Sequence, residues 1–209
     1  MRIEVKISKK RVNYIKAMRL LENRVEDVFN GKKPELLWIL EHNSIYTGGT
    51  SFKNKDILNK KIKVIKSSRG GKITYHGPGQ KVVYFVLNLK KRKKDIRLLI
   101  TKIENCIIRI LDNYNIESFS DRKNIGIWIK NKDQIKKVAA IGVRVSKWIA
   151  YHGFCLNIDN DLAPYKKIVP CGIFNRDVTN LKKISNQDYN KIKDILIENF
   201  IMNLKSLNV

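Results

Sequence analysis

Three cysteines among 209 residues, none of them spaced as CxxC, exclude a disulfide framework, since Cys106, Cys155 and Cys171 leave one thiol over however they pair. A cytoplasmic setting is therefore expected. No apolar stretch approaches the ~20 residues of a membrane span, and the opening MRIEVKISKKRVNYIK lacks an apolar core of signal-peptide length. Neither a membrane nor secretion is expected. The chain also lacks the GK[ST] ending of a Walker loop, the dinucleotide fingerprint, internal repeats, Ser/Pro linkers and a low-complexity tail. A single domain over 1–209 is expected, long enough to bury a sizeable core. Acidic residues are scarce as well, 19 against 43 lysines and arginines, for a formal net charge of +24. Such a field suits nucleic acid or an acidic protein partner. Heavy use of Lys, Ile and Asn is also what a coding bias toward A and T produces, and it spreads lysine over every solvated face. The densest run, KKRKK at Lys90–Lys94, separates an apolar strand from a helix, where a charged turn is expected. No nucleic-acid partner is expected.

What the chain does contain is clear periodicity. IEVKI predicts an edge strand, and Tyr14–Phe29 an amphipathic helix closing at Asn30-Gly31. ELLWILEH and VVYFVLNL are compact apolar runs that predict buried strands. Asp95–Tyr114 repeats with helical period, placing Ile96, Leu99, Ile100, Ile103, Ile107, Ile110 and Leu111 on one side, with Cys106 beside them as a buried structural thiol. IGIWI, VAAIGVRV and WIAYHGFCLNI predict three strands, the last two joined by a turn at Ser146-Lys147. Gln187–Leu204 is helical again. Strands in the middle and helices on both flanks predict an α+β fold, a central mixed sheet with helices packed against it.

Three stretches carry chemistry. SSRGGKITYHGPGQ crowds Arg69, Thr74, Tyr75 and His76 among glycines that permit close approach to a ligand, and its Gly77-Pro78-Gly79 turn is placed to expose backbone amides. In KKVAAIGVRV, alternation puts Lys137 on one face with Ala139, Ile141, Val143 and Val145, so Lys137 is the lysine aimed inward. An inward lysine needs a partner or a lowered pKa. Gly142 within that strand predicts a close approach by another backbone or a ligand. In WIAYHGFCLNI the same parity puts His152 with Trp148, Ala150, Phe154, Leu156 and Ile158, and Cys155 opposite; a zinc site has little support, because no second pair has metal spacing. Cys171, in KKIVPCGIFNRDV, follows Pro170 and precedes Gly172. A thiol of pKa about 8.5 is only a few per cent thiolate at neutral pH, so a working Cys171 needs a cation beside it. His76, His152 and Lys137 are the candidates, and the inward lysine is the best of them.

RGGKITYHGPGQ, KVAAIGVRV, YHGFCLNI and VPCGI, in this order and spacing, resemble the lipoyl(octanoyl) transferase family. The motifs run from about Glu35 to Leu181, within a family-like core of about 31–205. The resemblance implies the biotin/lipoate protein ligase-like catalytic fold. It implies transfer of an octanoyl group from octanoyl-acyl carrier protein, through a Cys171 thioester, to the target lysine of a lipoyl domain. Lys137 is then the residue that lowers the Cys171 pKa and acts as general base. The implied substrate-lining residues are Arg69, Gly70, Gly71, Lys72, Ile73, Thr74, Tyr75 and His76; Ala140, Ile141 and Gly142; and Gly153, Phe154 and Cys155. The acyl group arrives activated on phosphopantetheine, so no ATP, metal or other cofactor is implied. The implied acceptors are lipoyl domains of 2-oxoacid dehydrogenase complexes and the glycine cleavage H protein, and a monomer is expected. Backbone amides near Gly142 or at Cys171-Gly172 are candidates for an oxyanion hole.

Three other readings compete. An ATP-dependent lipoate or biotin ligase of the same superfamily needs no cysteine nucleophile. A basic RNA-binding module would bind RNA without Cys171. A Cys–His hydrolase would release free octanoate.

Overall fold

The computed structural model describes residues 2–131, 134–172 and 176–205, without the side chains of Asn131, Cys171 and Lys205. Strand β1 (Ile3–Ile7) is the sheet edge that its sequence predicts, and helix α1 (Tyr14–Phe29) follows it. The Asn13 side chain caps α1 by accepting from the Lys16 N–H, and Gly31 at φ +70 turns the chain out of it. Strand β2 (Glu35–Leu40) then returns parallel to β1. It is apolar throughout because both its faces are covered: Leu36, Trp38 and Leu40 pack with α1, while Leu37 and Ile39 enter the larger core on the other side.

The next three strands form a second, smaller sheet that the sequence reading did not contain. β3 (Ile45–Gly48) lies between β4 (Val64–Lys66) and β5 (Ile73–His76). Thus ITYH, taken as part of a glycine loop, is a fully buried strand. β6 (Gln80–Asn88) returns to the main sheet, pairing with β2. The KKRKK segment is only partly a solvated turn. Arg92 is buried and bidentate to Glu35, with 2.6 Å between Nη2 and Oε2, and Glu35 also accepts the Asn88 N–H.

Helix α2 (Ile96–Asp112) begins at an Asp95 cap. After β7 (Phe119–Ser120) come β8 (Ile127–Asn131), β9 (Gln134–Ser146) and β10 (Ile149–Asn157). The β9–β10 turn centres on Lys147 and Trp148, φ +52 and +63, one residue later than predicted; two left-handed residues are what a two-residue hairpin needs to match strand twist. β11 (Asp177–Val178) lies parallel to β9, and α3 (Leu181–Ile184) and α4 (Ile192–Lys205) complete the chain described. The sheet order is β1-β2-β6-β10-β9-β8-β7, mixed in direction. α1 covers one face, and α2 with α4 the other, where Leu99, Ile103 and Ile107 meet Leu196 and Phe200 over Val83 and Phe85. The expected central mixed sheet flanked by helices is the observed architecture. Among the described residues no helix is long and apolar enough to cross a membrane.

Candidate active site

β9 and β10 form the floor of the site. Gly142 stands opposite Gly153 across the pair. β8 accompanies β9 only as far as Ala139, so from Ala140 onward the outer edge of β9 has no strand beside it. The loop 67–72 lies on that edge. A Cβ on Gly70 would stand 2.7 Å from the Val143 carbonyl oxygen, and one on Gly142 would stand 3.1 Å from the Gly70 carbonyl oxygen. The close approach predicted at Gly142 is made by this backbone. Arg69 pins the loop, donating from Nη2 to the Thr47 carbonyl at 2.7 Å and from Nη1 to the Gly70 carbonyl at 3.0 Å. Arg144 donates to the Ser68 carbonyl at 3.1 Å.

Between loop, sheet and α2 is a cavity of about 450 Å³. Of the nominated residues, Arg69, Gly70, Gly71, Lys72, Ile73, Thr74, His76, Lys137, Ala140, Ile141, Gly142, Gly153, Phe154 and Cys155 line it. Tyr75 does not. Strand alternation in β5 sends it away from Thr74 and His76; its hydroxyl donates to Ser44 Oγ at 2.8 Å and its ring packs on Tyr46 and Tyr165. Residues not nominated also line the cavity, among them Val82, Tyr84, Ile96, Ile100 and Val143. Ile96 and Ile100 belong to the helical stripe read from the sequence, whose Leu99, Ile103 and Ile107 lie in the core. The stripe runs one turn past the core and into the cavity. Every charged residue that lines it among those described is a cation: Arg69, Lys72, Lys123 and Lys137.

Lys137 is 5% exposed. Its Nζ donates to the Ile125 carbonyl at 2.9 Å and lies 4.5 Å from the centroid of the Trp128 ring. It makes no salt bridge among the described residues, so a carbonyl and a π face hold its ammonium. Gly126 leaves room for this tip, because a Cβ there would stand 3.1 Å from both Cε and Nζ. Arg176 stacks on the same Trp128 at 4.7 Å and pairs with Asp121 at 2.6 Å.

Cys171 sits in a single helical turn, Pro170–Gly172, next to β5. Its thiol, and the 173–175 segment after Gly172, lie outside the described residues. Gly172 has φ +66, and a Cβ on it would stand 2.2 Å from Lys72 Nζ, so the Lys72 side chain reaches over the residue beside Cys171. The Gly172 N–H bonds the Val169 carbonyl at 2.9 Å, which removes it from the candidate oxyanion donors. The Gly77-Pro78-Gly79 turn is likewise not open to a ligand at Gly79, whose N–H is taken by Glu41 at 3.0 Å. Gln80 is buried, donating to Asn157 at 2.8 Å and accepting from His76 Nδ1 at 2.7 Å.

His152 departs from the predicted parity. Its φ is +66, a left-handed residue inside a strand, and the alternation breaks there. The ring stacks on Tyr151, meets Tyr84 edge-on, and shares a 3.0 Å hydrogen bond between Nε2 and Ser68 Oγ. It therefore lies on the α1 side with His42 and His76, whose centroids are 5.7 Å apart, and not with Ala150 and Phe154. Burial holds His76 and His152 neutral, each with its pKa lowered to about 3. Neither imidazole supplies a cation at neutral pH. Cys106 is buried with its thiol pushed up to about 12 by burial, as a structural thiol should be.

Those two histidines make the fold sensitive to acid. Each binds a proton in the unfolded chain near pH 6.5 and in the folded chain only near pH 3, so the unfolded state takes up more protons between those values. Stability is full above about pH 6.5 and falls with pH by up to about 1.4 kcal/mol per unit for each histidine. Urea midpoints measured from pH 7 down to pH 4 should fall steeply, and H76Q and H152Q should each flatten the slope by about one proton.

Residues 13–201 match the lipoyl protein ligase A/B catalytic domain family. An octanoyltransferase of Ehrlichia chaffeensis is 41% identical over 201 residues, covering 95% of this chain and 94% of that one. The fold is similar to a bipartite lipoate protein ligase from Thermoplasma acidophilum, with a TM-score of 0.74 and 13% identity over 98% of this chain and 85% of that one. It is also similar to P. falciparum LipL1 in complex with lipoate, with a TM-score of 0.73 and 18% identity over 98% of this chain; this chain spans 63% of that protein, less than two thirds of its length. At such identities the two structures speak for the fold alone. With the family match spanning nearly all of the chain and a relative 41% identical end to end, the chain belongs to the lipoyl protein ligase A/B catalytic domain family.

Proposed function

We propose that the protein is an octanoyltransferase of protein lipoylation, an acyltransferase working through a Cys171 thioester activated by Lys137. Identity to octanoyltransferases over nearly the full length carries the activity. The buried amine of Lys137 on the wall of a cavity otherwise rich in aliphatic side chains supports the chemistry. The Cys171 thiolate attacks the thioester carbonyl of an octanoyl group on phosphopantetheine. The pantetheine sulfur leaves and takes a proton from the Lys137 ammonium, leaving an amine. The acceptor lysine of a lipoyl domain then attacks the acyl-enzyme. One of its two departing protons returns to Lys137, the other goes to solvent, and Cys171 leaves as thiolate. Thioester exchange is nearly neutral and amide formation drives the second half, so no ATP enters. Splitting the transfer means that carrier protein and lipoyl domain need not bind together.

The octanoyl chain is read by burial against Val82, Ile96, Ile100, Ile141, Val143 and Phe154. About 0.8 kcal/mol per methylene corresponds to about fourfold in kcat/KM for each carbon between butanoyl and octanoyl donors. Octanoyl carrier protein mixed with the enzyme without ATP should give an adduct that mass spectrometry locates to the Cys171 peptide, and a lipoyl domain should then discharge it. A strict requirement for ATP would favour a ligase instead, and free octanoate as the sole product a hydrolase.

A further inference from the structure

Lys137 is held at both ends. Its Nζ donates to the Ile125 carbonyl at 2.9 Å, and its own carbonyl accepts the Thr179 N–H at 2.9 Å. The first contact comes from the 121–126 loop between β7 and β8. The second comes from the end of β11, which pairs with β9 through Val178 and Lys137. Loop and strand meet again at Asp121 and Arg176. Arg176 immediately precedes β11, and its Nη1 donates to Asp121 Oδ2 at 2.6 Å. From the lysine tip the connections run through Ile125 to Asp121, across to Arg176, along β11 and back to the Lys137 backbone. The ring is closed. Asp121 also shapes the loop: Oδ1 accepts the Lys123 N–H and Oδ2 the Asn124 amide, each at 2.9 Å. The Asn124 carbonyl in turn takes the indole N–H of Trp128, the ring on which both Lys137 and Arg176 lie.

We propose that Asp121 and Arg176 are positioning residues for the Lys137 amine: their ion pair fixes the 121–126 loop against β11, and with it the Ile125 carbonyl against the Lys137 backbone. A lysine ends on a flexible four-carbon stem, so one carbonyl places its amine only if that carbonyl is itself fixed. Ile125 cannot do this alone, because it is 49% exposed and its side chain packs too little to anchor the loop. Arg176 follows the Cys171 turn in sequence, so the link joins the loop that holds the amine to the part of the chain that carries the thiol. Neither Asp121 nor Arg176 lines the cavity or touches substrate. Hydrogen bonds from Asn124, Arg176 and Lys123 hold the Asp121 carboxyl down to about 2, so the pair is intact at neutral pH. Both side chains are partly exposed, and such a pair adds little to stability. Its loss should show in the placing of the amine instead.

This assignment rests on the reading of Lys137 as activator of Cys171, and the test separates the two. Asp121→Asn keeps an oxygen for the Lys123 N–H but turns an amide NH2 toward the Arg176 and Asn124 donors. Arg176→Gln removes the charge from the other side. Single-turnover acylation at saturating octanoyl carrier protein is measured for each, for the double variant, and for each combined with Lys137→Ala. D121N and R176Q should each slow acylation about 10- to 100-fold, the scale of an ångström misplacement. Steady-state KM for the donor and the thermal midpoint should stay near wild type. The double variant should be no slower than the slower single, because both break one link. In the Lys137→Ala background neither should slow acylation further, since the group they place is gone; a merely structural role would persist there. Should D121N fail to fold, R176Q, the more exposed of the two side chains, carries the comparison. An effect that persists undiminished in Lys137→Ala overturns the proposal. If Lys137→Ala is slow while D121N and R176Q acylate at the wild-type rate, the positioning role alone is lost. If Lys137→Ala acylates at the wild-type rate, the activation by Lys137 is refuted and the positioning role falls with it.

Discussion

Replacing Lys137 with alanine is expected to slow octanoyl transfer by about 10²–10⁴, the range spanned by loss of a positioned acid or base. The fold should survive, because the space vacated borders the cavity and because Trp128 is held by another contact, its indole N–H by the Asn124 carbonyl at 2.8 Å. Two roles are removed together: the ammonium that stabilises the Cys171 thiolate and the amine that accepts a proton from the attacking lysine. Lys137→Arg separates them. A guanidinium keeps the positive charge and cannot give up its proton, so alkylation of Cys171 near neutral pH should recover in part while transfer to a lipoyl domain should not. Cys171→Ser should abolish the acyl adduct on that peptide. Single-turnover acylation and discharge measured separately check all three variants. Unchanged acylation in Lys137→Ala would mean that another cation serves the thiol; Lys72, lying over Gly172, is the neighbour to test next.

The inward aim of Lys137 was read from alternation, and the residue is buried, although the pairing of β9 with β8 skips Val138, Ile127 facing Ala139 and Trp128 facing Lys137, so the alternation is irregular at that point. The close approach at Gly142 was readable for a related reason: a glycine in mid-strand leaves room that something else takes. His152 was misread because parity assumes extended backbone, and a left-handed residue at φ +66 moves its side chain to the other face. The small sheet was missed because β3, β4 and β5 are three or four residues each, too short for period-2 alternation to register. Arg92 escaped for another reason. It looks like an ordinary solvated charge in its own segment, and the group that accounts for its burial, Glu35, is remote in sequence. Gln80 is similar, a turn residue by its neighbours and a buried bridge to Asn157 by its fold.

Gly153→Ala is expected to cost about 4 kcal/mol or more, a large share of the roughly 5–15 kcal/mol that holds a typical domain folded. Two independent costs add. The backbone at φ +154 is one that residues with a side chain rarely adopt, a strain of about 1–3 kcal/mol. The new methyl would also stand 2.0 Å from the Val83 carbonyl oxygen and 3.3 Å from the Phe85 ring, and overpacking of that kind costs about 1–3 kcal/mol when the neighbours can shift. Here they shift poorly. Val83 lies in β6, flanked by β2 and β10 in the middle of the main sheet, so relief requires opening the β6–β10 ladder. That ladder also holds Phe154 and Cys155 against the cavity, so any folded fraction should show impaired acylation as well. Gly31→Ala is the control: it has positive φ, but nothing stands within 4 Å of its added Cβ, so it should cost only the backbone strain. Urea denaturation of the two variants side by side measures the difference. If Gly153→Ala were no worse than Gly31→Ala, the carbonyl of Val83 would not be confining β10 at this point, and the positive φ of Gly153 alone would account for the glycine.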